Sequence, residues 1–241
     1  MTPARTFAAA GIGLFLGIPG AAPALAEPQV YVYTVLHPTY GRIGTLTDTV
    51  DRSEDKTQIE SKLRVAVELM GVTLFRQRSD VTEVMEGDRL IWLHSVTDKD
   101  DKHLEVHGKA EGGKFVVDAT AGSFIGPATT APSDPWALER TGPHTLVYTS
   151  TGHIKDAQVT GGQAETFVLN GDEVSLRHFV INGLNRQEVW LDSAGVPVMF
   201  RSVEDGTPID FVLEKALAPN GSDPLLPPKP TAQAIPTKKN N

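Results

Sequence analysis

The sequence predicts a mainly β protein: a strongly curved antiparallel meander sheet or partly open barrel, with one short helix and a disordered C-terminal tail. Three observations predict it. Apolar and polar residues alternate with a period of two over many short segments, the pattern of a sheet with one wet face. Turn dipeptides rich in Gly, Asn and Asp punctuate those segments, about every 12 residues from Gly171 onwards. Sustained apolar spacing at i, i+3, i+4 is scarce.

The elements follow in order. Residues 1–26 read as a secretory signal peptide: Arg5 is the single charge, Phe7 to Ile18 is apolar, and Ala24-Leu25-Ala26 precedes Glu27 in a small-x-small cleavage pattern. The apolar run is about 12 residues, against the roughly 20 a membrane-spanning helix needs. The chain is therefore expected in a periplasm, soluble and not membrane-spanning. A single β-rich domain is expected over residues 27–217.

Within it, strands are expected near 29–37, 40–52, 56–70, 72–86, 89–98, 102–110 and 114–119. Leu63, Val65, Val67 and Leu69 share one face of the third, against Lys62, Arg64 and Glu68 on the other. Gly87-Asp88 and Gly112-Gly113 supply turns. Residues 121–143, rich in Gly, Pro and Thr, read as a looser crossover, either a lid or a joint between halves. The one helix is expected near Ser133 to Arg140, with Ser133 or Asp134 as cap, Pro135 in the first turn and Gly142 beyond the end. Further strands are expected near 144–150, 154–159, 164–169, 173–182, 185–192, 196–203 and 208–215. Asn170-Gly171, Asn182-Gly183, Asp192 to Gly195 and Asp205-Gly206 connect them. Ile209, Phe211 and Leu213 oppose Asp210 and Glu214 in the last. Long early strands joined by short turns point to strong twist and curvature. Residues 218–241 hold six Pro and few apolar groups, the composition of a disordered tail.

Composition limits function. The 241 residues carry 22 Lys+Arg against 30 Asp+Glu, for a formal charge of −8. That balance argues against binding nucleic acid or an anionic membrane through bulk charge. Cys is absent, which excludes disulfides, thiolate catalysis and Cys-ligated metals. The chain has no G-x-x-x-x-G-K-[ST] phosphate loop, no H-E-x-x-H and no G-x-S-x-G elbow. No catalytic residue and no cofactor is assigned, and a non-enzymatic role is favoured; triads assembled from distant positions stay open.

Two groups of residues invite a chemical reading. His103, Glu105 and His107 point to one face of a strand. Residues i and i+4 in a strand lie roughly 13 Å apart, too far for both imidazoles to hold one ion. An i, i+2 pair can chelate with help from a neighbour such as His94, but a solvated polar face is the simpler reading, and no metal is assigned. Asp98 to Asp101 lacks the Gly and Glu of a calcium loop, since His103 and Lys109 occupy those positions; it reads as a hairpin tip. The aromatics Trp92, Trp190, Phe200 and Phe211 are the candidate ligand-binding residues, as the lining of a hydrophobic trough; an ordinary core is the competing explanation.

The C-terminal half carries a resemblance. Val168 to Gly171, Leu176-Arg177-His178-Phe179, Gln187 to Asp192, Gly195 to Val198 and Glu204 to Phe211, with Tyr33-Thr34-Val35 and Arg42-Ile43-Gly44, resemble a family of exported bacterial proteins catalogued only as a domain of unknown function. Most of the chain beyond residue 26 is covered. The pattern also resembles periplasmic curved-sheet proteins, distantly like the lipoprotein-carrier group. The resemblance supplies no catalytic residues: a buried Trp190, a turn-capping Asp192 and a structural His178 explain the shared positions. The leading expectation is a periplasmic carrier for a hydrophobic small molecule or acylated partner. An envelope scaffold without a small ligand is the alternative, and a metal-dependent hydrolase using His94, His103, Glu105 or His107 stands behind both. No oligomeric state follows from the residues.

Overall fold

A computed structural model describes residues 27–169, 172–204, 206–217 and 237–238. The expected signal peptide at 1–26, the turn dipeptide Asn170-Gly171 and nearly all of the expected tail lie outside these residues.

The strands are β1 (Gln29–His37), β2 (Gly41–Arg52), β3 (Lys56–Leu69), β4 (Val72–Glu86), β5 (Arg89–Lys99), β6 (Lys102–Glu111), β7 (Lys114–Ala119) and β8 (Gly122–Pro127). After these come β9 (Ala131–Pro132), β10 (Gly142–Val147), β11 (Ile154–Leu169), β12 (Asp172–Asn182), β13 (Arg186–Leu191), β14 (Pro197–Glu204), β15 (Thr207–Leu217) and β16 (Thr237–Lys238). They form one sheet in the order β8-β7-β6-β5-β4-β3-β2-β1-β15-β14-β13-β12-β11-β10-β9, and β16 pairs with β11 beside that path. Two meanders thus meet where β1 pairs with β15. Every pairing is antiparallel except β9 with β10. The path does not close: β8 and β9 are its two ends, so the sheet curls into an open, barrel-like shape.

The curl brings the two ends together. The β10–β11 turn rests on the inner face of β6 and β7. At Gly152 (φ +77°) a Cβ would come within 2.7 Å of Ala119 Cβ and 3.0 Å of Val117 Cγ1, so only glycine fits there. Val147 packs with Met85, Leu90, Leu93, Val106, Phe115 and Val117 in a small cluster at this junction. The larger cluster spans β1–β3 and β10–β15 and includes Tyr31, Tyr33, Val35, Phe179, Ile181, Val189 and Leu213.

Four local features depart from expectation. The helix expected at Ser133–Arg140 is a single 3-10 turn, Pro135–Ala137, capped by Asp134, whose Oδ1 accepts from Trp136 N at 2.8 Å. Leu138 leaves helical geometry and is fully buried; an isolated helix this short gains too few internal hydrogen bonds to persist against packing. The stretch 121–143 contains two strands, β8 folding back on β7 and β9 joining β10. Residues 154–169 form one strand, because Gly161 and Gly162, both at positive φ, make a bulge against β12 and not a turn. The shared face of Leu63, Val65 and Val67 is inward, whereas Leu69 lies past the β3–β4 bulge and is exposed.

Candidate functional site

Register explains how a cleft arises inside the curl. Facing residues on adjacent antiparallel strands share a face. Tyr33, Leu46, Leu63, Ser79 and Thr97 are in register across β1 to β5, and so are Val50, Ile59, Glu83 and Leu93 across β2 to β5. The inner face of β2–β5 is consequently not purely apolar. Ser79 and Thr97 share a 2.7 Å hydrogen bond between their hydroxyls, and Asp48 and Glu83 are buried beside them. Opposite stand Phe200 of β14 and Phe211 of β15, their rings stacked at 4.4 Å and 8°.

Between these walls lies a cleft of about 210 Å³, lined by Leu46, Leu63, Val81, Val189, Phe200 and Phe211 among apolar groups. Glu83, Asp134, Ser79, Gln187 and Arg201 are among its polar groups. It is smaller than the roughly 300–1,000 Å³ of drug-sized ligand pockets, and holds the volume of about seven waters at ~30 Å³ each.

Among the described residues Glu83 stands out on the inner face, with two unpartnered buried atoms where Asp48 and Ser95 have one each. Its side chain is 1 % exposed, and neither carboxyl oxygen has a hydrogen-bond partner among the described residues. Buried polar groups are rarely left so. Burial pushes its carboxyl well above the ordinary 4.5, and the charges of Asp134 and Asp48 push it further. Asp48 is raised to about 6 by burial, opposed by hydrogen bonds from Trp136 and Ser61; the indole Nε1 of Trp136 donates to Asp48 Oδ2 at 2.8 Å. Asp134 is raised to about 8 by burial and by the charge of Asp48, opposed by the hydrogen bond from the Trp136 backbone N–H. Three carboxyl groups therefore crowd one region, and burial together with the Asp134 and Asp48 charges favours the protonated form of Glu83. A protonated carboxyl offers one donor and one acceptor to a ligand's polar head.

The sequence-based candidates divide. Phe200 and Phe211 line the cleft. Trp190 is buried on the opposite face of the sheet, stacked on His178 at 4.4 Å and 4°. His178 in turn contacts Glu188 Oε2 at 3.0 Å, an arrangement that holds the sheet's outer layer. Trp92 is 40 % exposed on the outside of β5, opposite Lys109. Asp192 caps its turn, its Oδ1 accepting from Ala194 N at 2.8 Å and Val196 N at 2.9 Å. Of the histidines, His103 turns to Asp98 at 2.7 Å, and His94, Glu105 and His107 come together on the outer face. Sequence reasoning missed Glu83, Asp48 and Asp134. The signal was present for two of them: Glu83 sits between Val81 and Met85, and Asp48 between Leu46 and Val50, each a charge on the inward-facing half of an alternating strand.

Comparison with known proteins places the chain. The model of a domain of unknown function, DUF6134, matches residues 33–214. The chain belongs to the DUF6134 family. The match runs from β1 into β15, so both walls of the cleft lie within the family domain. No curated protein matches the chain. Among solved structures, it is similar to a β-barrel-like protein of another domain of unknown function, DUF1849, from Brucella abortus. The two share 14% identity and a TM-score of 0.61, over 80% of this chain and 98% of that one. That likeness concerns the fold alone and agrees with the curved, barrel-like sheet of this DUF6134 member.

Proposed function

We propose that this DUF6134 protein is a non-catalytic periplasmic binding or carrier protein for a small hydrophobic or acylated ligand. The observation that carries the proposal is Glu83: a buried carboxyl with no partner among the described residues, in the lining of a cleft whose opposite wall is the Phe200–Phe211 stack. An apolar ligand segment would pack on the two rings, and a carbonyl, hydroxyl or amide head would meet the Glu83 carboxyl. Such a ligand satisfies both the apolar wall and the orphaned oxygens; water alone satisfies only the second. The volume suits a short acyl segment better than a whole lipid. Export rests on residues 1–26 and their cleavage pattern. Native mass spectrometry of protein recovered from its own cell envelope tests the proposal. A ligand of defined mass should co-purify and be lost on denaturation; protein of bare polypeptide mass, with no uptake of a fluorescent short-chain fatty acid, would count decisively against it.

A second reading, an envelope interaction protein, is favoured by one feature. The β3–β4 hairpin ends in an exposed apolar tip of Leu69, Met70, Val72 and Leu74, with Met70 98 % exposed. Met70 also holds φ +53°, a conformation that Asn or Gly adopts more easily. A tip-dependent, stoichiometric partner recovered from envelope extract would favour that role.

A further inference from the structure

The outer face of β5 and β6 carries a separate constellation. His94 and His107 are in direct register across the hairpin, and their rings stack at 4.5 Å and 12°. Glu105, two residues before His107 on the same face, presents a single oxygen to both: Oε1 lies 2.9 Å from His107 Nε2 and 3.4 Å from His94 Nε2. The three ligand atoms all lie within 4.8 Å of one another.

Bond lengths decide what such a cluster can hold. Zinc binds imidazole nitrogen and carboxylate oxygen at about 2.0–2.2 Å, nearly always with tetrahedral geometry. Tetrahedral angles then set donor atoms about 3.3–3.5 Å apart. The two Glu105 distances bracket the lower end of that range, and the third separation, between the two imidazoles, is at most 4.8 Å. Two imidazoles and a carboxylate are the donors that borderline divalent ions prefer over calcium or magnesium. The cross-strand pairing also removes the obstacle of strand rise. His103 and His107 are too far apart along β6, and His103 is engaged by Asp98. His94, contributed by the neighbouring strand, replaces it.

We propose that His94, Glu105 and His107 form a binding site for a divalent transition ion of the zinc type, with one coordination position open to solvent. The side chains are 36 %, 46 % and 57 % exposed, so the ion reaches the site without opening the fold, and the open position faces outward, away from the cleft. The site is independent of the ligand proposed for the interior. Asp118, in register with His107 on β7, is the nearest further carboxylate in that row.

Isothermal titration with zinc chloride tests the site, using the full chain without a polyhistidine tag after treatment with a chelator. One ion per chain should bind with a micromolar dissociation constant. His94→Ala and His107→Ala should each weaken binding at least tenfold, whereas His103→Ala should leave it unchanged. Far-UV circular dichroism confirms that these surface variants keep the sheet. Copper(II) should bind more tightly than zinc, and magnesium and calcium should not bind. Absence of saturable zinc binding below 1 mM overturns the proposal, and so does equal weakening by His103→Ala.

Discussion

Replacing Glu83 with leucine should stabilise the protein while removing its capacity to bind the polar head of a ligand. The side chain is fully enclosed and both oxygens lack partners among the described residues. A buried polar group left unsatisfied costs about 1–3 kcal/mol, and leucine fills a similar space without polar atoms. In a domain of this size each kcal/mol moves Tm by about 2–4 °C, so a rise of roughly 2–12 °C is expected. The gain should depend on pH, and its sign follows from the direction of the shift. The folded carboxyl titrates well above 4.5 and the unfolded one near it. Between those values the folded state holds a proton that the unfolded state has released, so wild-type stability falls as pH rises. The slope is up to about 1.4 kcal/mol per pH unit. Glu83→Leu removes that component, and the gap between variant and wild type should widen from pH 4.5 towards pH 8. Urea denaturation of both proteins at pH 4.5, 6 and 8, with Tm at each, is the assay. A variant less stable than wild type at every pH, or a gap that does not change with pH, would refute the claim that Glu83 is an unpartnered, proton-holding group.

Other substitutions probe the frame around the cleft. Gly152→Ala combines a left-handed backbone with a Cβ 2.7 Å from that of Ala119, and should cost about 2–4 kcal/mol in urea unfolding; a neutral result would mean the two sheet ends do not meet there. Asp192→Ala loses the two hydrogen bonds that the side chain accepts from backbone N–H groups in the β13–β14 turn and should cost about 1–2 kcal/mol without affecting ligand binding. Met70→Asn places a residue suited to positive φ at the hairpin tip and should add about 0.5–1 kcal/mol of stability; loss of a captured partner in the same variant would support the interaction role.

Much of the sheet was legible because period-two alternation is a local property. Gln29–His37, Val72–Glu86 and Lys114–Ala119 follow directly from it, and Gly87, Gly112 and Gly113 mark turns through positive φ. What escaped is non-local. The bulge at Gly161–Gly162 looks like a turn until the register with β12 is known. The short helix fails because Leu138 is drawn into the core, a choice made by tertiary packing. The aromatics had the same ambiguity: Phe200, Phe211, Trp190 and Trp92 all occupy strands, but only the first two face the cleft, and facing depends on bulges such as those between Val84 and Met85 and between Trp190 and Leu191. Glu83 was hidden by its company, a lone charge in an apolar alternation that draws attention to its neighbours. The pairing of His94 with His107 needed the β5–β6 register, which the Asp100–Asp101 turn determines.

Fluorescence titration with an environment-sensitive short-chain fatty acid, run on wild type, Phe211→Ala and Trp92→Ala, addresses the cleft most directly. Phe211 lines it and Trp92 lies on the outer face of the sheet. Saturable binding of one molecule per chain is expected, weakened at least tenfold by Phe211→Ala and unchanged by Trp92→Ala. No saturable binding by wild type, or equal losses from both substitutions, would contradict a ligand site inside the curl.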